Sequence, residues 1–127
     1  MFTLEQIHQI HEQFGTAEML PQYLGALRAI GIDTYDSFIA DGHSEYFGRG
    51  GHLIDATAHH EPLTIANTSN RAKLLEQIEL HNQHKTNYVE MSQGLADSGI
   101  EKWTFDTHKL TLTYYDKRGA AVYSAAV

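Results

Sequence analysis

"DGHSEYFGRGGH", Asp41 to His52, gathers two histidines, two acids, one arginine, two aromatics and four glycines into twelve residues. Read as chemistry, it is a metal or acid–base site. Read as geometry, it is a hairpin with a glycine-rich exit. Asp41-Gly42 is the strongest short hairpin signal available, because a type I′ turn needs positive φ at both central residues. "TYDSFIA" before it alternates and is rich in aromatic and β-branched residues, as a strand is. "HSEYF" then reads as the returning strand and "HLIDATA" as a third. In that geometry His43 and Glu45 project to one face together, while Tyr46 packs inward with Tyr35 and Ile39.

Helical signals precede the hairpin. In "FTLEQIHQIHEQF" Thr3 and Gln6 form a capping box, and Phe2 with Ile7 a hydrophobic staple. Leu4, Ile7, Ile10, His11 and Phe14 share one face at 3.6 periodicity, which places His11 on the core side. "TAEMLPQYLGALRAIGI" reads as a second helix, capped by Thr16, with Pro21 in its first turn and Gly31-Ile32 closing it. After the loop-like "HHEPLTIANTSN" the pattern recurs. "RAKLLEQIELHNQH" is helical, as is "TNYVEMSQGLADSGI", capped by Thr86 and ended by Gly99-Ile100. "KWTFDTHKLTLTYYDKRG" is a longer hairpin and "AAVYSAAV" a last strand or tail.

The recurrence extends to residues. "LEQI" opens a helix at Leu4–Ile7 and at Leu75–Ile78. An ungapped shift of 68 sets Tyr35 on Trp103, Tyr46 on Tyr114, Phe47 on Tyr115 and Gly51 on Gly119. The tips fit less well: Asp41-Gly42 falls on Lys109-Leu110, whereas the second turn is expected at Thr107-His108. The expectation is an α+β fold with helices on one face of mainly antiparallel sheet. It reads as an internal duplication of an α-α-β-β-β unit, residues 1–66 and 67–127, sharing one core in a single domain, 1–127.

Composition narrows the function. A chain of 127 residues that is 42% hydrophobic and 20% charged is ordinary for a soluble globular domain. No apolar run approaches the roughly 18 residues of a membrane span. No leader segment is seen, so a cytoplasmic location without membrane partners is expected. The absence of cysteine excludes disulfides, thiolate metal sites and thiol nucleophiles. A net charge of −7, with no run of Lys or Arg, argues against nucleic acid as a partner. Half-protonation of the nine histidines would add about 4.5 charges near pH 6.5, so solubility is expected to fall around pH 6.

Each chemistry the hairpin suggests has a weakness. His43, His52, His59 and His60, with Asp41 and Asp55, are candidate metal ligands, but zinc needs three or four groups converging at about 2.0–2.2 Å. No H-E-x-x-H spacing is present, and the pairs His8/His11 and His81/His84 lie on separate helices. No cofactor is therefore expected, His43, His52 and His59 being the imidazoles from which a metal site would be built. Asp41, His43, Glu45 and Asp55 are the acid–base candidates, yet a turn aspartate commonly bonds its own backbone. No G-x-S-x-G elbow exists. "GRGGH" could meet an anion, but no helix start follows it to present backbone N–H groups, and a turn or bulge needing positive φ explains Gly48, Gly50 and Gly51 better. The aromatics concentrate in the hairpins. Neighbours such as Tyr46 and Phe47 must face opposite ways, which argues for a second buried layer such as a homodimer interface.

"GIDTYDSFIADGHSEYFGRGGH" (Gly31–His52) and "SGIEKWTFDTHKLTLTYYDKRG" (Ser98–Gly119) together resemble the YbcV-like family. These are small bacterial and prophage proteins of unknown function, some labelled phage envelope protein. The likeness spans nearly the whole chain: the opening "LEQI" helix, the Tyr35-to-Asp41-Gly42-His43 spacing, "HKTNYVEMSQGLADSG", "GIEKW" and "YYDKRG". It implies a small α+β fold and a bacterial or phage origin. It supplies no activity, cofactor or catalytic residue, and no membrane feature of the chain supports the envelope label.

Two functional readings stand at this level. The leading one is a non-enzymatic accessory protein that associates with a protein partner, or with itself, through the hairpin aromatics. The alternative is a small-molecule or metal-dependent site built from Asp41, His43, Tyr46, Arg49 and His52.

Overall fold

Thr3 and Gln6 cap the first helix reciprocally. Thr3 Oγ1 accepts the Gln6 N–H at 3.3 Å, and Gln6 Oε1 accepts the Thr3 N–H at 2.8 Å. The computed structural model describes residues 2–14, 19–56, 61–83, 85–86 and 88–126, with the backbone alone at Tyr88. Helix α1 (Leu4–Phe14) buries Ile7 beside Phe2, as the staple requires. His11, expected on the core side, is exposed and only meets the Tyr23 ring edge-on at 5.8 Å. Tyr23 belongs to helix α2 (Leu20–Ala29), which shares a buried cluster with Ile7. The Thr16 cap falls outside the described residues.

Helix α3 (Arg71–Asn82) starts at a cap the sequence reading did not name: Asn70 Oδ1 accepts the Lys73 N–H at 3.0 Å. Helix α4 (Tyr88–Asp97) begins two residues beyond Thr86. Thr86 instead turns its hydroxyl to His81 Nδ1 at 3.3 Å.

Among the described residues six strands complete the fold: β1 (Ile32–Phe38), β2 (Ser44–Gly48), β3 (Leu53–Ala56), β4 (Ile100–Asp106), β5 (Thr111–Asp116) and β6 (Ala121–Ala126). They form one antiparallel sheet in the order β3-β2-β1-β4-β5-β6, so the fold is α+β. The central seam joins β1 to β4, pairing Tyr35 with Phe105, Asp36 with Thr104 and Ser37 with Trp103. Adding 68 to Asp36 gives Thr104, so the middle pair maps onto itself and its neighbours map onto each other. The backbone bonds flanking the seam obey the same exchange: Ile39 N donates to Glu101 O at 2.9 Å, and Thr107 N to Asp33 O at 3.0 Å.

The chain reverses at Asp41-Gly42, but not through a two-residue type I′ turn. Four residues, Ile39–Gly42, link Phe38 to His43, whose backbones bond N to O at 2.9 Å. Only Gly42 is left-handed, at φ 78°. Asp41 is not, because its carboxylate accepts the His43 N–H at 2.9 Å, a bond that sets the turn without positive φ. The second tip likewise spans four residues, Thr107–Leu110, between β4 and β5. Its left-handed residue is Leu110, at φ 53°, the position 68 beyond Gly42. A side chain there costs about 1 kcal/mol that glycine avoids. Leu110→Gly is therefore expected to raise the unfolding free energy measured by denaturant titration by about that amount, and Gly42→Ala to lower it similarly.

The helices lie in pairs on one face, α1 against α2 on β1 and α3 against α4 on β4. Buried side chains gather in two clusters. The first contains Phe2, Ile7, Tyr23, Leu24, Leu27, Ile32, Tyr35 and Tyr46, joined by Phe105 from the second half. The second contains Leu74, Met91, Leu95, Ile100 and Tyr114, joined by Ile39 from the first half. Trp103 and Leu112 pack against both. Gly48 is extended; glycine is required there because a Cβ would strike the Phe2 ring and come 2.9 Å from Gly31 O. Gly50 and Gly51 have the positive φ expected of the turn.

Candidate functional site

Cross-strand partners point to the same face of a sheet, so the pairing registers sort the side chains. Tyr35, Tyr46, Phe105 and Tyr114 face the helices. The alternate positions form a second face, and Phe38, Phe47, Leu53 and Tyr115 on it belong to neither buried cluster. Three rows cross this face. One runs Leu53–Phe47–Thr34–Asp106–Thr111 and the next Asp55–Glu45–Asp36–Thr104–Thr113. The third runs from Phe38 through Lys102 to Tyr115, with His43 stacked on Phe38 at 4.3 Å and nearly parallel.

Asp36 sits at the centre of the face with 7% of its surface exposed. It accepts a hydrogen bond from Thr104 Oγ1 at 2.5 Å and another from Lys102 Nζ at 3.1 Å. The same ammonium lies 5.7 Å from the Phe38 ring centre and 5.5 Å from that of Tyr115. Neither Asp36 nor Lys102 was singled out by the sequence reading. The available signal was weak: a charge inside each of two strands that only the tertiary pairing sets side by side.

Of the five hairpin candidates, the structure does not form one site. Asp41 and His43 come together with Glu45: His43 Nδ1 is 2.6 Å from Asp41 Oδ1, and Nε2 is 3.0 Å from Glu45 Oε2. Tyr46 points to the other face, stacked on Tyr35 at 5.0 Å, and meets Tyr23 through its hydroxyl. Burial pushes the Tyr23, Tyr35 and Tyr46 phenols above their ordinary range, so this trio is a neutral hydroxyl cluster in the core. Arg49 lies at the far end of β2, its Nε 3.9 Å from Asp33 Oδ1. His52, also at that end, donates from Nε2 to Phe2 O at 3.1 Å and packs edge-on against the Phe2 ring. His43 and His52 thus stand at opposite ends of one strand, and His59 lies outside the described residues. Among the described residues, no three His, Asp or Glu side chains are grouped to hold a metal ion.

The histidine between two carboxylates has a defined protonation. Carboxylates only accept, so both ring nitrogens must donate, and the fully bonded form is the imidazolium. Burial lowers the His43 pKa, but the hydrogen bonds to Asp41 and Glu45 together outweigh it and hold it above the ordinary value. The backbone N–H and ring of His43 hold the Asp41 carboxyl below its own. The His43 contribution to stability is present below about pH 6.5 and lost as pH rises through the raised pKa. The Asp41 contribution is present above about pH 4 and lost as pH falls through the lowered one. The clasp is therefore fullest between these values. Proton NMR should show His43 titrating above the free value, and Asp41→Asn should bring it down; an unmoved titration would refute the clasp.

An open groove of about 510 Å³ lies elsewhere, lined by Pro62, Leu63, Thr64, Ala66, Lys73, Gln93 and Asp97. It shares no residue with the hairpin site. No described helix is long and apolar enough to cross a membrane.

Residues 8–125 match the family described as "Protein of unknown function (DUF1398)". The chain belongs to that family. The match runs from inside α1 into β6, so all of the described elements except the first turn of α1 and the last residue of β6 fall within the family's extent. Comparison with curated proteins gave no match. The family brings no activity with it.

Proposed function

We propose that the chain is a non-enzymatic accessory protein of bacterial or prophage origin, soluble and cytoplasmic, that binds a protein partner across the helix-free face of its sheet. The observation that carries this reading is the composition of that face. Phe38, Phe47, Tyr115 and Leu53, the last 47% exposed, flank an acidic row of Asp55, Glu45 and Asp36. Phe38, Phe47 and Tyr115 are half-buried, and apolar side chains on both sides of a charged row offer a partner apolar anchors and charge together. With a net charge of −7 behind it, the face fits a basic partner surface with apolar side chains of its own. The register that exchanges the two halves supports reading them as products of a duplication.

Partner capture from the native host tests the proposal. Phe47→Lys and Leu53→Lys should each weaken the captured complex at least about tenfold, since apolar anchors dominate such interfaces. High salt should weaken it further. His43→Ala and His52→Ala should leave it largely intact. Capture that ignores the two lysine substitutions but fails without the imidazoles would overturn this reading.

The convergence of Asp41, His43 and Glu45 favours the second reading, a small-molecule or metal site at the hairpin. Against it, both imidazole nitrogens are already committed, leaving no lone pair for a metal or a substrate proton. Calorimetric zinc uptake that His43→Ala abolishes would reverse the ranking.

A further inference from the structure

The sheet has two edges, β3 and β6, and they differ in their defences. Natural proteins guard edge strands by making them short, by placing charges or proline on them, or by bulges. Strand β3 has four residues, carries Asp55 and is framed by the glycine turn at Arg49–Gly51. Strand β6 has six residues, Ala121–Ala126, with no charge and no proline. Its bulge, where Val122 is the extra residue opposite Tyr114 and Tyr115, affects only its first residues and leaves Tyr123–Ala126 in regular register. Ala121, Ser124 and Ala126 are exposed, and small side chains do not screen the backbone N–H and C=O groups of the outer edge.

We infer that β6 pairs with the β6 of a second copy of this chain, antiparallel across a two-fold axis, joining two sheets into one. The occupant follows from charge and symmetry. A chain of net charge −7 repels its own copies at acidic surfaces, and the helix-free face holds Glu45, Asp55 and Asp106 beside an Asp36 already paired with Lys102. The β6 edge carries no such repulsion. Two identical strands laid antiparallel also satisfy each other's backbone groups by an isologous contact that closes at two copies. The axis stands perpendicular to the sheet, so both helix-free faces lie on the same side of the dimer. The inference stands independently of the partner reading.

The absence of native cysteine makes the test clean, because any introduced cysteine is the only thiol. Light scattering should give twice the 14.3 kDa chain mass. Single cysteines placed in turn at positions 121–126 should form disulfide-linked dimers, strongest at the position nearest the axis and falling away on either side. Phe47→Cys and Leu53→Cys should not cross-link. Ser124→Lys should reduce the mass to one chain with unchanged circular dichroism. A wild-type monomer at every soluble concentration would overturn the inference, as would cross-links at 47 and 53 in preference to β6. So would protection of β6 amides from exchange that appears only when a different protein is added.

Discussion

Gly99→Ala is expected to destabilise the fold by about 3 kcal/mol. Gly99 ends α4 at φ 80°, its N–H bonded to Ala96 O at 3.1 Å. A Cβ there would stand 2.5 Å from Thr68 O and 2.7 Å from Ser69 Cα. These are backbone atoms and cannot swing aside. The same segment is tied to α4 by Ala66 N to Ala96 O and Asn70 N to Ser98 O, both at 2.9 Å. Displacing it also disturbs Asn70, the cap of α3. Gly31 closes α2 in the equivalent place at φ 98°, but a Cβ there meets nothing within 4 Å. Gly31→Ala should therefore cost only the left-handed backbone term, about 1 kcal/mol. Chemical denaturation of the two variants side by side reads the difference. Equal losses would show that the 66–70 segment does not approach α4 so closely.

Lys102→Met should cost about 2 kcal/mol. Breaking a buried pair typically costs more, but the Lys102 side chain is 29% exposed and its Coulomb attraction is partly screened by water. The substitution keeps the stem and removes the ammonium, leaving the nearly buried Asp36 carboxylate with Thr104 as its remaining side-chain donor. Replacing both partners, Asp36→Asn with Lys102→Met, should recover part of the loss, because no uncompensated charge then remains. A double variant no better than Lys102→Met alone would locate the cost elsewhere, in the Phe38 and Tyr115 ring contacts of the ammonium.

Much of this was legible locally. The Thr3–Gln6 box, Pro21 in the first turn of α2 and the glycine ends of α2 and α4 are short-range patterns, and each folds as written. The reversal at Asp41-Gly42 was legible too, though its four-residue form was not: one aspartate can satisfy either a type I′ turn or an aspartate-bonded loop, and only the strand ends choose. The second tip, expected at Thr107-His108, does contain those two residues but runs on to Leu110; no glycine marks its full length, because Leu110 takes the left-handed position without the residue that advertises one. The hairpin site was half seen. Asp41, His43 and Glu45 are neighbours in sequence and so had to be neighbours in space, whereas Tyr46, Arg49 and His52 scatter to the other face and the other end of β2.

By itself, the amino-acid order determined the elements, their succession and the 68-residue correspondence between halves, since periodicity and capping act within a few residues. Tertiary structure alone decided that β1 lies beside β4, that Asp36 finds Lys102 across 66 residues, and that the described helices lie on one face of the sheet. Alternation says only that a strand has two sides. Which side the helices cover depends on contacts between segments far apart in the chain, and no local pattern encodes that choice.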